Sequence, residues 1–159
     1  MRQGRRQGFT LVELVVTVAI VGILALAVTP LAEMAARRHK ESELRAALRE
    51  IRGALDAYRR AVDEGKVERK ADESGYPRRL EDLVSGMDNR QEPGKGQLYF
   101  LRRLPRDPFA ADTALAAAET WGKRSYDSPP DAPREGSDVF DVYSLAPGSG
   151  LNGVAYREW

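Results

Sequence analysis

The chain has 159 residues, 25 Lys and Arg against 24 Asp and Glu, a formal net charge of +1 and no cysteine. That length allows one modest domain plus an anchor. The near-neutral balance supplies no overall field for nucleic acid, and the lack of Cys excludes a disulfide framework and any thiolate zinc site without fixing the redox compartment.

Arg2, Arg5 and Arg6 form a short basic leader ahead of a long apolar run. Positive charge beside a span tends to stay cytoplasmic, so the expected topology is N-terminus in the cytoplasm and the bulk of the chain outside. Leu14 to Ala32 is 19 residues without a formal charge, and counted from Phe9 the segment reaches 24. A bilayer core of about 30 Å takes about 20 helical residues. The run exceeds the roughly 7–15 apolar residues of a secretory signal. Arg37, Arg38 and Lys40 follow it directly. Glu13 lies in its first turn. An ionised group within a membrane helix costs roughly 2.5–3.5 kcal/mol near the centre and is normally paired or functional; a solvated interfacial glutamate is the alternative. Pro30 removes a backbone donor and Gly22 lets a neighbouring backbone approach, which makes both candidate kink positions. Both residue types are also common in membrane helices.

Residues 33–64 are expected to continue the same helix. Leu44, Leu48, Ile51, Leu55, Tyr58 and Val62 recur at steps of four and three, one apolar stripe on a 3.6-residue period. The charged residues between them read as a solvated face with i,i+4 pairs such as Glu41 with Arg45. The stripe fits a helix laid on a small sheet better than a coiled-coil seam. Residues 65–159 are then a small α+β domain packed on the 33–64 helix. Gly65 to Gly75 reads as a loop, Pro77 to Val84 as a short helical piece and Gly86 to Gly96 as a second polar loop. The prolines at 105 and 108 exclude a helix through Tyr99–Phe109. Ala110 to Glu119 is expected to form a turn or two of helix. Strands are predicted at Lys123–Ser128 and Asp138–Leu145, with Ala155–Trp159 as a last one, giving about three short antiparallel strands.

Gly8-Phe9-Thr10-Leu11-Val12-Glu13-Leu14 behind a basic leader resembles the N-terminal signal of the type IV pilin superfamily, and Pro30 stands where that family usually has a proline. The resemblance implies that residues 1–8 are a leader cut between Gly8 and Phe9 by a membrane prepilin peptidase, which then methylates the Phe9 amine. It implies that residues 9–32 form a transmembrane and filament-core helix. The new ammonium at Phe9 of one copy then meets Glu13 of the next, since opposite charges attract more strongly in low dielectric. Desolvation offsets much of that gain, so the pair selects register more than it adds stability. The outer half resembles the major pseudopilins of type II secretion at Tyr76-Pro77, Leu80, Leu83, Leu104-Pro105-Arg106-Asp107-Pro108-Phe109, Trp121-Gly122, Asp141-Val142-Tyr143-Ser144 and Trp159. The pilin-like fold is the expectation that follows.

In that family a loop after the Tyr-Ser strand typically binds calcium. Here Ala146 to Gly153 holds no carboxylate, whereas calcium takes six to eight oxygens, usually with carboxylates among them. No cofactor is expected; a calcium site would have to use Asp138, Asp141 and Asn152. The alternative is that Pro147 and the glycines hold the loop unaided. Gly148-Ser149-Gly150-Leu151-Asn152-Gly153 matches G-x-G-x-x-G, but six residues follow it, too few for a βαβ unit. His39 is the single histidine, and one histidine makes no catalytic or metal cluster. The cationic cluster Arg37 to Lys40 suits lipid headgroups or a neighbouring subunit's acids. No arrangement of acids suggests acid–base work, so no enzyme is expected.

The function implied is a structural subunit of a secretion pseudopilus, anchored in a bacterial inner membrane with its outer domain periplasmic. Its partners would be prepilin peptidase, further copies, minor pseudopilins, the inner-membrane assembly platform and lipid, but not nucleic acid. The other readings are a minor pilin of a type IV pilus or DNA-uptake fibre, and an uncleaved bitopic membrane sensor.

Overall fold

A computed structural model describes residues 9–70, 72–92, 94 and 96–159. The chain divides into two compact units, one ending at His39 and one comprising Lys40–Trp159. Helix α1 (Leu11–Asp63) contributes to both and includes Pro30. In the first unit every described side chain from Phe9 to His39 is exposed. Val12, Val15, Ile20, Val21, Ile23, Leu24 and Leu31 are among its exposed large apolar residues.

The second unit is built on the apolar stripe of α1. Leu44, Leu48, Ile51, Leu55, Tyr58 and Val62 are all buried, as their spacing predicts, and Ala47, Ala54 and Ala61 widen the stripe. The helix ends where Glu64 and Gly65 close the last turn by bonding to Arg60 and Val62 carbonyls. Gly65 has φ +73°, a left-handed value that glycine adopts without a side-chain penalty. Pro77, Leu80 and Leu83 pack into the same core. They lead through the short helix α2 (Asp82–Ser85) into a hairpin of β1 (Met87–Asp88) and β2 (Gln97–Leu98), with Met87 opposite Leu98. A 3-10 turn spans Ala117–Thr120. It leads into β3 (Trp121–Arg124), antiparallel to β4 (Asp141–Ser144) with Trp121 opposite Ser144 and Arg124 opposite Asp141.

The α+β class and the long N-terminal helix agree with expectation; several details differ. The strands form two two-stranded ladders rather than one sheet of three. The segment Gly86 to Gly96, read as a loop, contains one side of a hairpin, because a two-residue strand is too short to show alternation. Strand β3 starts at Trp121 rather than Lys123 and stops at Arg124. Ser125 turns away there, its amide bonding to the Arg134 carbonyl. The last strand is instead a 3-10 turn at Tyr156–Glu158, preceded by one bridge between Ser149 and Ala155. The Ala110 to Glu119 helix reduces to the 3-10 turn ending at Thr120.

Candidate functional site

In the first unit the helix start is fixed by Thr10. Its hydroxyl oxygen accepts the Glu13 amide at 3.2 Å and its carbonyl accepts the Leu14 amide at 3.1 Å. Thr10 therefore acts as N-cap and Glu13 occupies the third helical position, the threonine-to-glutamate spacing of a capping box. A carboxylate in the first turn also sits favourably at the positive end of the helix dipole. Sequence reasoning missed the cap, although the T-x-x-E spacing signals it. Phe9 is 79% exposed, and Glu13 is exposed one helical turn further on. Gly8, the other half of the expected cleavage site, lies outside the described residues. Gly22 and Pro30 both fall inside α1, and a Cβ built at Gly22 would meet nothing within 4 Å. By length and composition the apolar part of α1 is sufficient to cross a membrane.

In the second unit a side of α1 read as solvated turns out to be a clamp. Arg45, Arg52 and Arg59, spaced seven residues apart, lie along one flank of the helix. Arg45 stacks over the Trp159 ring at 4.2 Å. Arg52 donates to Asp141 Oδ1 at 2.7 Å, to the Trp159 carbonyl oxygen at 2.8 Å and to the Val142 carbonyl at 3.1 Å. Arg59 pairs with Asp63, donates to the Ser74 carbonyl and lies over the Tyr76 ring; the Asp63 carboxylate holds its guanidinium above the usual arginine range. Glu41 is buried, not solvated. Its Oε1 accepts the Leu151 amide at 2.8 Å and the Tyr156 hydroxyl at 3.1 Å, while Oε2 lies 3.9 Å from Arg45, the pair that the i,i+4 spacing predicts.

The two sequence motifs of the outer half meet directly. Buried Asp107 accepts from the Ser144 hydroxyl at 2.5 Å and from the Phe109 amide at 2.8 Å, and the Trp121 indole donates to the Pro105 carbonyl at 2.9 Å. Each of the candidate calcium donors has hydrogen-bond partners within the chain. Asp138 is buried and its Oδ1 accepts from the Ser125 hydroxyl and the Tyr126 amide. Asp141 accepts from Arg52, from its neighbour Val142 and from Arg124. The Asn152 side-chain oxygen accepts the Val154 amide. Among the described residues there is no group of three or more His, Asp or Glu side chains that could hold a metal ion.

Residues 3–29 match the family model of the prokaryotic N-terminal methylation motif. Curated relatives cover most of the chain. A type II secretion system core protein G from Klebsiella pneumoniae is 32% identical over 153 residues, 89% of this chain and 96% of the relative. The chain belongs to the type II secretion core protein G family. The family's proteins from Klebsiella michiganensis, 30% identical over 77% of this chain and 82% of the relative, and from Pseudomonas aeruginosa, 30% identical over 91% and 86%, extend the same likeness. No solved structure matches the chain. Core protein G membership and the methylation motif bear on different stretches. The motif covers the leader and the apolar helix, and the relatives' coverage takes in the outer unit as well.

Proposed function

We propose that the protein is a structural subunit of a type II secretion pseudopilus, processed at Gly8–Phe9, methylated on the Phe9 amine and polymerised out of the inner membrane. The observation that carries this is the coincidence, in one chain, of the methylation motif over residues 3–29 and likeness to core protein G over 89% of the chain. The capped helix start supports it, because Thr10 places Glu13 in the first turn of an exposed apolar helix. In that position Glu13 takes the cleaved ammonium of Phe9 from a neighbouring copy, and an unpaired copy is penalised in the membrane. The role is assembly and not catalysis, with the outer unit periplasmic. Prepilin peptidase, further copies and minor pseudopilins, and the inner-membrane platform are the partners, and the basic leader sets the orientation.

Mass measurement of the purified protein tests the reading: a mature chain starting at methylated Phe9 is expected, and an intact leader would favour a bitopic sensor. Deletion is expected to abolish protein secretion. Loss of twitching or DNA uptake with secretion intact would instead assign a type IV pilus. Glu13→Ala is expected to leave insertion and cleavage intact and to lower fibre yield severely, read by sheared-fibre immunoblots; normal yield counts against the pairing.

A further inference from the structure

A surface loop keeps one shape only if its backbone oxygens and nearby carboxylates have partners, supplied by a metal ion or by the protein itself. The family resemblance implies calcium at the loop after Tyr143-Ser144. The donors here do not fit that ion. The loop from Ala146 to Gly153 has no carboxylate. Both oxygens of Asp141 face guanidinium groups. Asp138 is buried against Ser125 and Tyr126 instead.

What ties the strand before this loop to the residue at its far side is an organic cation. Arg52 gathers one carboxylate oxygen and two carbonyl oxygens from Asp141, Val142 and Trp159, at 2.7, 3.1 and 2.8 Å. A charged carboxylate and main-chain carbonyls are the donor types a calcium ion collects. A rigid five-donor fork can serve three divergent acceptors at once. Three turns earlier on the same helix, Glu41 supplies the opposite charge to the loop's donors, the Leu151 amide and the Tyr156 hydroxyl. Gly150 closes the loop by bonding to Val154 and lies against the Trp159 ring, where an added Cβ would come within 2.2 Å.

We propose that Arg52 is a built-in cation, paired with Glu41 as a built-in anion, and that together they order residues 145–159 without calcium. The inference goes beyond the assembly reading and is independent of it, since it concerns order within the outer unit and is measured on chains that are not in a fibre.

The test uses the full-length protein in detergent micelles, with calcium chloride as the probe. Melting temperatures in EGTA and in millimolar calcium are expected to agree within about 1 °C, and calorimetric titration is expected to show no saturable calcium binding. Arg52→Gln is expected to speed amide exchange at Leu151 and Tyr156 about tenfold or more, with Arg52→Lys intermediate because it restores charge but not the fork. Saturable calcium binding, or a calcium-induced rise of several degrees, overturns the proposal; so does Arg52→Gln with wild-type protection in this segment. If Arg52→Gln does not fold, the wild-type calcium titration decides alone.

Discussion

Truncating Glu41 would strand two donors at once. The Leu151 amide and Tyr156 hydroxyl both point at its carboxylate, and hydrogen bonds to a charged group contribute about 1.5–3 kcal/mol each before relaxation. Glu41→Ala is therefore expected to lower stability by about 2–3 kcal/mol, and Glu41→Gln, which keeps a carbonyl acceptor, by less. Chemical denaturation of the detergent-solubilised protein measures both; equal losses would show that size and not charge matters there. Tyr58 supplies a pH dependence. Burial chiefly, then the Asp82 and Glu73 charges, push its hydroxyl above the ordinary value of 10.0. The folded state thus holds the phenolic proton more tightly than the unfolded chain. The associated stability is fully present below pH 10 and is lost as pH rises from there through the raised folded value. Tyr76 is shifted the same way, mainly by burial, so Tyr58→Phe is expected to flatten part of the alkaline decline rather than remove it. Denaturation midpoints from pH 8 to 11 read this directly, and an unchanged slope would remove Tyr58 as a cause.

At the scale of elements, β3 and β4 hold together through an unusual pair. Gly122 stands opposite Tyr143, and a Cβ at Gly122 would lie 2.3 Å from the tyrosine ring. The ring thus covers a bare backbone in the strand, as aromatic residues do opposite strand glycines. Gly122→Ala is expected to displace Tyr143 and cost about 1–3 kcal/mol, seen as a lower melting temperature, with Tyr143→Ala in the same chain relieving the clash but not the lost packing. Additive losses would mean the two positions do not touch. The glycine–tyrosine pair also shows why the bounds of β3 were hard to read. Four residues with a glycine at the second position carry too little alternation to mark a boundary, and the two-residue strands of the hairpin carry none. The α1 stripe was legible because nine residues within one helix repeat the same spacing. The Thr10 cap was open to reading, because its T-x-x-E signal is local, but it was passed over beside the membrane role of Glu13. Arg52 and Glu41 were not legible, because their acceptors and donors lie 89 to 115 residues away, and an isolated i,i+4 ion pair on a helix looks the same in sequence whether its flank is wet or covered.

The whole molecule has its burial distributed unevenly. No described residue before Glu41 is buried, and the hydrophobic core runs from Leu44 to Tyr156. The described apolar side chains of the first unit are exposed, a surface that an apolar environment would cover. The outer unit contains its own core, both ladders and the arginine and glutamate anchors of the C-terminal segment. A chain beginning at Glu33 is accordingly expected to be soluble without detergent, monomeric by size-exclusion chromatography and cooperative in melting, because it keeps the whole buried core from Leu44 to Tyr156. Its melting temperature is expected to match that of the outer unit in the full-length protein in micelles. A fragment that aggregates, or melts without cooperativity, would mean that the apolar helix stabilises the outer unit through contacts made only in the membrane or the fibre. The anchor and the folded unit would then be one cooperative body rather than two.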